Sequence, residues 1–127
     1  NLPNLAMRVA STRAGVHGSM PDYTPSGFAM SGAVRYSPGQ VTINYHSVSD
    51  DRSFSIAQAK SSWNSESLLD NFISAEHHTY QTRENNGRTV YLYDGNNATW
   101  IDGGVWYRIE GKATLSSDQL LRIIDSM

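Results

Sequence analysis

The fold of this chain is decided by residues 41–56, which read VTINYHSVSDDRSFSI. Apolar and polar residues alternate through the first six of these positions and again from Ser53 to Ile56. A period of two is typical of a β-strand that has one buried and one solvated face. The Asp50-Asp51 dipeptide between the two runs favours a turn. The stretch therefore predicts an antiparallel hairpin that is half exposed to water.

Further β-type runs flank this hairpin, and each is bounded by a sequence that favours a tight turn. These turn sequences are Pro38-Gly39, Asn86-Gly87, Asp94-Gly95 and Asp102-Gly103-Gly104. Gly, Asn and Asp tolerate the positive φ that hairpin turns require. In the last runs apolar residues occupy both alternating sets, so we expect both faces of that part of the sheet to be covered. The pattern predicts an antiparallel meander of about seven strands.

Apolar residues also recur at helical spacing before the predicted strands. Residues 1–16 predict a short helix, because apolar positions follow one another at intervals of three and four. The stripe consists of Leu2, Leu5, Ala6, Val9 and Arg13. Residues 17–32 are rich in Gly, Ser and Pro, which disfavour both helix and ladder hydrogen bonds. They predict a connection that leads into the sheet.

Two more helices are predicted, one within the strands and one after them. Asn64 can cap a helix of about ten residues, and Glu66 suits its first turn. Its apolar stripe consists of Leu68, Leu69, Phe72 and Ile73. At the C-terminus, Ser116 and Gln119 form a capping box, and Leu115 and Leu120 form a hydrophobic staple. We therefore expect an α+β domain over residues 1–127, with an N-terminal, an inserted and a C-terminal helix.

The size and charge of the chain limit the classes of function that it can have. A length of 127 residues suits a single hydrophobic core. The 10 basic and 12 acidic side chains give a formal charge of −2, so the chain lacks a broad basic field that would attract a phosphate backbone. We therefore expect no nucleic-acid partner.

The residues that could carry catalysis or bind metal follow none of the usual patterns. The chain has no cysteine, and its histidines, which lack metal-site spacing, are His17, His46, His77 and His78. No G-x-S-x-G or S-x-x-K motif surrounds a serine, and no helix start follows Gly103-Gly104 as a phosphate-binding loop requires. The acidic residues fall mostly in turn sequences, although two carboxylates meeting in a cleft would make a cell-envelope hydrolase. We expect no enzymatic activity, no cofactor and no metal.

One aromatic surface is a candidate for binding. Strand alternation predicts that four residues share one face of the last hairpins, namely Tyr91, Tyr93, Ile101 and Trp106. The residues predicted on the opposite face are Leu92, Trp100 and Tyr107. Either an amphipathic helix packs on the aromatic face, or the face forms an apolar groove that receives a lipid-like ligand or a partner's chain.

Three segments of the chain carry a family resemblance. Residues 23–28 read YTPSGF and fit a Y-x-P-x-G-[YF] opening. A Trp strand at residues 98–100 precedes a G-V-x-Y-x-I-x-G strand at residues 104–111 and an L-S-x-x-x-L-x-x-I helix within residues 115–124. These segments resemble a bacterial family of domains of unknown function, found as the C-terminal extracytoplasmic domain of membrane-anchored regulators of the anti-sigma-factor type. The resemblance extends over residues 21–127, and its motifs are structural.

The resemblance implies a domain outside the cytoplasmic membrane, tethered by a transmembrane helix upstream of residue 1, with no catalytic residues. We therefore expect a non-enzymatic sensor or interaction domain, in which an unknown protein or an apolar ligand shifts a conformational equilibrium. The alternative is a carrier module, whose sheet curls into a half-barrel around a lipid-like or small apolar ligand. The two differ in whether a helix covers Tyr91, Tyr93 and Trp106.

Overall fold

A computed structural model describes all 127 residues of the chain. The helices are α1 (Leu2–Ala14), α2 (Ser65–Leu68) and α3 (Ser117–Asp125), and a π-helical segment (Leu69–Ser74) directly follows α2. The strands are β1 (Phe28–Met30), β2 (Arg35–Ser37), β3 (Gln40–Ser47), β4 (Ser53–Lys60), β5 (Tyr80–Asn85), β6 (Arg88–Tyr93), β7 (Asn97–Asp102) and β8 (Val105–Gly111). The α+β fold with an N-terminal, an inserted and a C-terminal helix is confirmed. Residues 65–74 are called the inserted helix below.

All eight strands belong to one antiparallel sheet. Its order is β1-β3-β4-β8-β7-β6-β5, and β2 also pairs with β3. Consecutive strands pair with each other except at two places: β1 and β2 both pair with β3, and β4 lies beside β8 instead of β5. Residues 61–79, which include the inserted helix, carry the chain from the middle of the sheet to its far edge.

The predicted hairpin of residues 41–56 corresponds to β3 and the first half of β4. Its apolar residues are buried, with side chains on one face of the sheet: Val41, Ile43, Tyr45, Phe54 and Ile56. The intervening residues Thr42, Asn44 and Ser55 are half-buried, and His46 and Ser53 are exposed. The half-exposed hairpin is therefore confirmed.

The predicted connection of residues 17–32 contains a strand that the sequence pattern did not indicate. β1 pairs with β3 through Phe28 with Ser47, Ala29 with His46 and Met30 with Tyr45. It raises the number of strands to eight, compared with about seven predicted. The three residues of β1 are too few to show an alternating pattern, so only the pairing with β3 reveals the strand.

The buried side chains form two clusters, one on each face of the sheet. The main core contains 22 buried residues and lies between the sheet, α1 and α3. The smaller cluster contains five buried residues and lies between the other face and the inserted helix. The predicted capping box of α3 is present, since Gln119 N donates to Ser116 Oγ over 3.1 Å and Ser116 N donates to Gln119 Oε1 over 3.0 Å.

The N-terminal helix forms as predicted but packs with a different face. The predicted stripe points to water, since Leu2, Leu5 and Val9 are 80%, 50% and 44% exposed. The residues that enter the main core are Met7, Ala10 and Ala14. Both sets of residues have helical spacing, so the pattern predicts the helix but does not determine which face is buried. The two alanines on the buried face allow the helix to approach the sheet closely.

Candidate functional site

The four predicted residues of the aromatic face lie on the same side of the sheet. Ile101 of β7 is directly opposite Trp106 of β8, and Tyr91 and Tyr93 come from β6. Tyr91 and Tyr93 belong to the smaller cluster, and Ile101 and Trp106 pack against it. Leu92, Trp100 and Tyr107 are instead part of the main core on the opposite side. The period-two alternation therefore assigned the faces of these strands correctly.

The inserted helix covers this aromatic face. Its buried side chains are Leu68, Phe72 and Ile73. The centre of the Phe72 ring lies 5.1 Å from that of Trp106 and 5.5 Å from that of Tyr93, both in edge-on geometry. Such aromatic pairs contribute stability in addition to the stability that comes from burying their apolar area. The first of the two explanations for the face, packing of an amphipathic helix, therefore describes this structure.

Two indoles mark the border between the inserted helix and the open part of the sheet. Trp63 and Trp106 are both half-buried, and their ring centres are 5.0 Å apart. Trp106 Nε1 donates to Thr99 Oγ1 over 2.8 Å, and the Arg108 guanidinium lies 4.4 Å from the centre of the Trp106 ring. The hydrogen bond and the cation–π contact hold Trp106 in place while part of its surface faces water. We call Trp63, Phe72, Tyr91, Tyr93 and Trp106 the aromatic cluster.

Polar contacts fasten the inserted helix near both of its ends. Near its start, the Tyr91 hydroxyl donates to the carbonyl oxygen of Ser65 over 2.8 Å. After its end, His78 Nδ1 lies 2.6 Å from Asp94 Oδ2, and the His78 amide donates to the carbonyl oxygen of Ile73 over 2.9 Å. The helix is therefore tied to β6 and to the β6–β7 turn, in addition to its apolar packing.

The second imidazole nitrogen of His78 is buried and has no hydrogen-bond partner. The nearest carboxylate oxygen to it is Glu76 Oε1, at 3.6 Å. In a neutral ring whose Nδ1 donates to Asp94, Nε2 presents only a lone pair to Glu76. In an imidazolium, Nδ1 carries a proton facing Asp94 and Nε2 carries one facing Glu76. The sequence analysis did not find this cluster, because His78 and Asp94 are 16 positions apart. His77, the residue directly before His78, has a positive φ of 57° in the turn before β5.

A further polar contact lies beside Phe72. The Tyr93 hydroxyl donates to Glu110 Oε2, and Arg108 Nη1 lies 3.6 Å from the other oxygen of the same carboxylate. Burial raises the pKa of Tyr93 far above its usual value, and the contact with Glu110 raises it further. Tyr93 is therefore a neutral donor, and it links the aromatic cluster to the charged pair on β8.

A family model described as a domain of unknown function, DUF4367, matches residues 20–127. The chain belongs to the DUF4367 family. The match contains every strand, the inserted helix and α3, whereas α1 precedes it. The aromatic cluster therefore lies entirely within the DUF4367 domain. Comparisons with curated proteins and with solved structures found no match.

Three acidic residues in turn sequences of the DUF4367 domain have structural contacts. Asp50 binds Arg52 at 3.0 Å, Asp94 binds His78, and Asp102 lies 3.3 Å from Arg88. No group of three or more His, Cys, Asp or Glu side chains is arranged to hold a metal ion. None of the three helices is long and apolar enough to cross a membrane.

Proposed function

We propose that this DUF4367 domain is a non-enzymatic sensor or interaction domain whose binding site is the aromatic cluster. The observation that supports the proposal is that one short element, the inserted helix, packs over a contiguous aromatic surface of the sheet. A ligand or partner that prefers the uncovered surface would shift the population towards an open form. The displaced helix would then be the structural signal.

The inserted helix has the properties of an element that opens more easily than the domain unfolds. It contributes three side chains to a cluster of five buried residues, compared with 22 in the main core. Elements with few buried apolar contacts open locally at a lower free energy than the whole domain. The second half of the helix is π-helical. π-helical turns are rare and occur frequently at functional sites.

We also propose the cellular setting of this domain. The family resemblance of residues 23–28 and 98–124 supports an extracytoplasmic domain of a membrane-anchored bacterial protein, of the anti-sigma regulator type. In that setting the open and closed forms would be distinguished outside the membrane, and a tether upstream of residue 1 would transmit the difference. The partner is an unknown protein or an apolar ligand.

A carrier of an apolar ligand remains the alternative, but the packing of the sheet gives it less support. A carrier needs free space beside the sheet. Here α1 and α3 pack on one face, with Trp100 and Ile109 almost completely buried, and the inserted helix packs on the other. An apolar ligand would therefore have to displace a helix before it could be enclosed.

Ligand binding can be tested by native mass spectrometry of the domain purified from a membrane extract of its own host. We expect an adduct that is lost in Trp106→Ala and kept in Tyr36→Ala. Tyr36 is a suitable control because it is an exposed aromatic residue on β2, outside the aromatic cluster. An adduct that persists in Trp106→Ala would contradict the proposed site.

A protein partner can be tested by placing a photo-crosslinking amino acid at Trp63 or at Tyr36 in the full-length protein. We expect a discrete crosslinked product from position 63 in living cells and none from position 36. Equal products from both positions, or none from position 63 together with a clean mass in the first experiment, would overturn the proposed function.

The extracytoplasmic location has its own test, because the chain contains no cysteine. Ser117→Cys places a single thiol at an exposed position at the start of α3. We expect a membrane-impermeant maleimide to label this thiol in intact cells that carry the full-length protein. Labelling that requires cell lysis would refute the location without affecting the binding site.

A further inference from the structure

A polar groove lies where the end of α1 meets the end of β4 and the β7–β8 turn. Two cavities of about 400 Å³ each adjoin there and share residues 15–17. One extends to Lys60, Ser62 and Gly104, and the other follows α1 to Arg8. None of these residues belongs to the aromatic cluster.

Backbone N–H groups without an acceptor line this groove. They belong to His17, Ser62, Gly103 and Gly104, none of which donates a hydrogen bond within the chain. Gly103 and Gly104 have φ values of 56° and 78° in the hairpin turn. Turns in which successive N–H groups remain free form concavities that bind anions.

Two of the last four carbonyl oxygens of α1 accept backbone hydrogen bonds, which compensates part of the negative end of this helix beside the groove. The carbonyl oxygen of Ser11 accepts from the amides of Gly15 and Val16. The carbonyl oxygen of Ala14 accepts from the amide of Gly39 over 2.7 Å.

The side chains of the groove carry positive charge that no carboxylate balances. Arg8 and Lys60 have no acidic oxygen within 4.0 Å. No residue that lines either cavity is Asp or Glu. The formal charge of the whole chain is −2, so this local excess of cations is not a property of the surface in general.

We propose that this groove binds the phosphate group of a small phosphate monoester. Free backbone amides and cationic side chains together provide the donors that phosphate oxygens accept from. A monoester carries close to two negative charges at neutral pH, which suits the two cationic side chains of the groove better than a monovalent carboxylate does. The small cavities and the negative net charge favour one phosphate group over a polyanionic chain.

The groove adjoins the aromatic cluster, which supplies an optical signal for binding. Ser62 directly precedes Trp63, and Gly104 is two positions before Trp106. The two indole rings are in contact, with their centres 5.0 Å apart. Phosphate at the Ser62 and Gly104 amides is therefore expected to change the tryptophan emission.

The test is a titration of the ¹⁵N-labelled domain with glycerol 3-phosphate and with inorganic phosphate, at constant ionic strength. We expect saturable shifts of the His17, Ser62, Gly103 and Gly104 amide signals. The double variant Arg8→Ala/Lys60→Ala should weaken binding at least about tenfold, because it removes two charged donors.

The matched control is Arg83→Ala/Lys112→Ala, which removes two exposed cations from elsewhere on the chain. All four positions are exposed, so circular dichroism and thermal unfolding should show that both variants remain folded. Saturable binding of either phosphate compound that is lost only in the groove variant supports the proposal. Shifts spread over the whole surface, equal weakening in the control, or acetate binding as tightly as phosphate would overturn it.

Discussion

Phe72→Ala tests whether the inserted helix opens independently of the rest of the domain. Phe72 is 5% exposed, and its ring contacts the rings of His78, Tyr93 and Trp106 at centre distances of 4.8–5.5 Å. Removal of a buried Phe side chain costs about 3–5 kcal/mol when the surroundings do not collapse. These contacts are lost when the helix leaves the sheet, so the substitution should lower the free energy of that opening by the same amount.

The assay is native-state hydrogen exchange of the amides in residues 65–74. A change of 3–5 kcal/mol corresponds to roughly 100- to 4,000-fold faster exchange through the opening reaction. The matched control is Phe54→Ala, which removes the same side chain from the main core, where Phe54 stacks on Tyr45 at 4.6 Å. The control should lower the free energy of global unfolding in urea without accelerating local opening of the inserted helix.

One result would exclude independent opening of the inserted helix. If Phe72→Ala accelerates exchange in β3 and β8 as much as in the inserted helix, this helix opens only when the whole domain unfolds. A cover that opens only on global unfolding cannot be the moving part of a sensor. The proposed site would then be ordinary core.

Three further changes have defined outcomes. Gly111→Ala would place a Cβ atom well inside van der Waals contact with the carbonyl oxygen of Ser53, so we expect a loss of about 1–3 kcal/mol in urea unfolding, and an unchanged midpoint would contradict the close approach. Burial raises the pKa of Tyr45 from 10.0 to about 12, so folded stability should fall as the pH rises through this range, and Tyr45→Phe should reduce that fall in thermal unfolding. Hydrogen bonds from Arg52 lower the pKa of Asp50 from 3.8 to about 2, so stability should fall as the pH falls through that range, and an equal acid dependence in Asp50→Asn would exclude this contribution.

The elements with strong local patterns could be predicted from the sequence. Alternation in residues 41–56 gave the β3–β4 hairpin, and the Ser116–Gln119 capping box gave the start of α3. Alternation also assigned the aromatic face, because a strand has only two faces and the main core occupies the other one. In each case the pattern is local, and tertiary packing agrees with it.

The features that the sequence left undetermined depend on contacts between distant residues. α1 has two apolar stripes, and only the space beside β2 and β3 selects the one with Met7. β1 is three residues long and is defined by its pairing with β3. The contact between His78 and Asp94 depends on how the inserted segment returns to the sheet edge, which no local spacing encodes.

The pairing of β4 with β8 explains why the candidate sites adjoin. Because β8 occupies the position beside β4, the chain after Lys60 must cross to the far edge of the sheet before β5 can form. The crossing segment lies over β6, β7 and β8, where it covers aromatic side chains without joining the main core. Its start, at Ser62, borders the phosphate groove, and its end, at His78, contacts Asp94. A ligand at the start of this segment would therefore act on the inserted helix, so a phosphate bound at Ser62 should alter hydrogen exchange in residues 65–74 more than in β3.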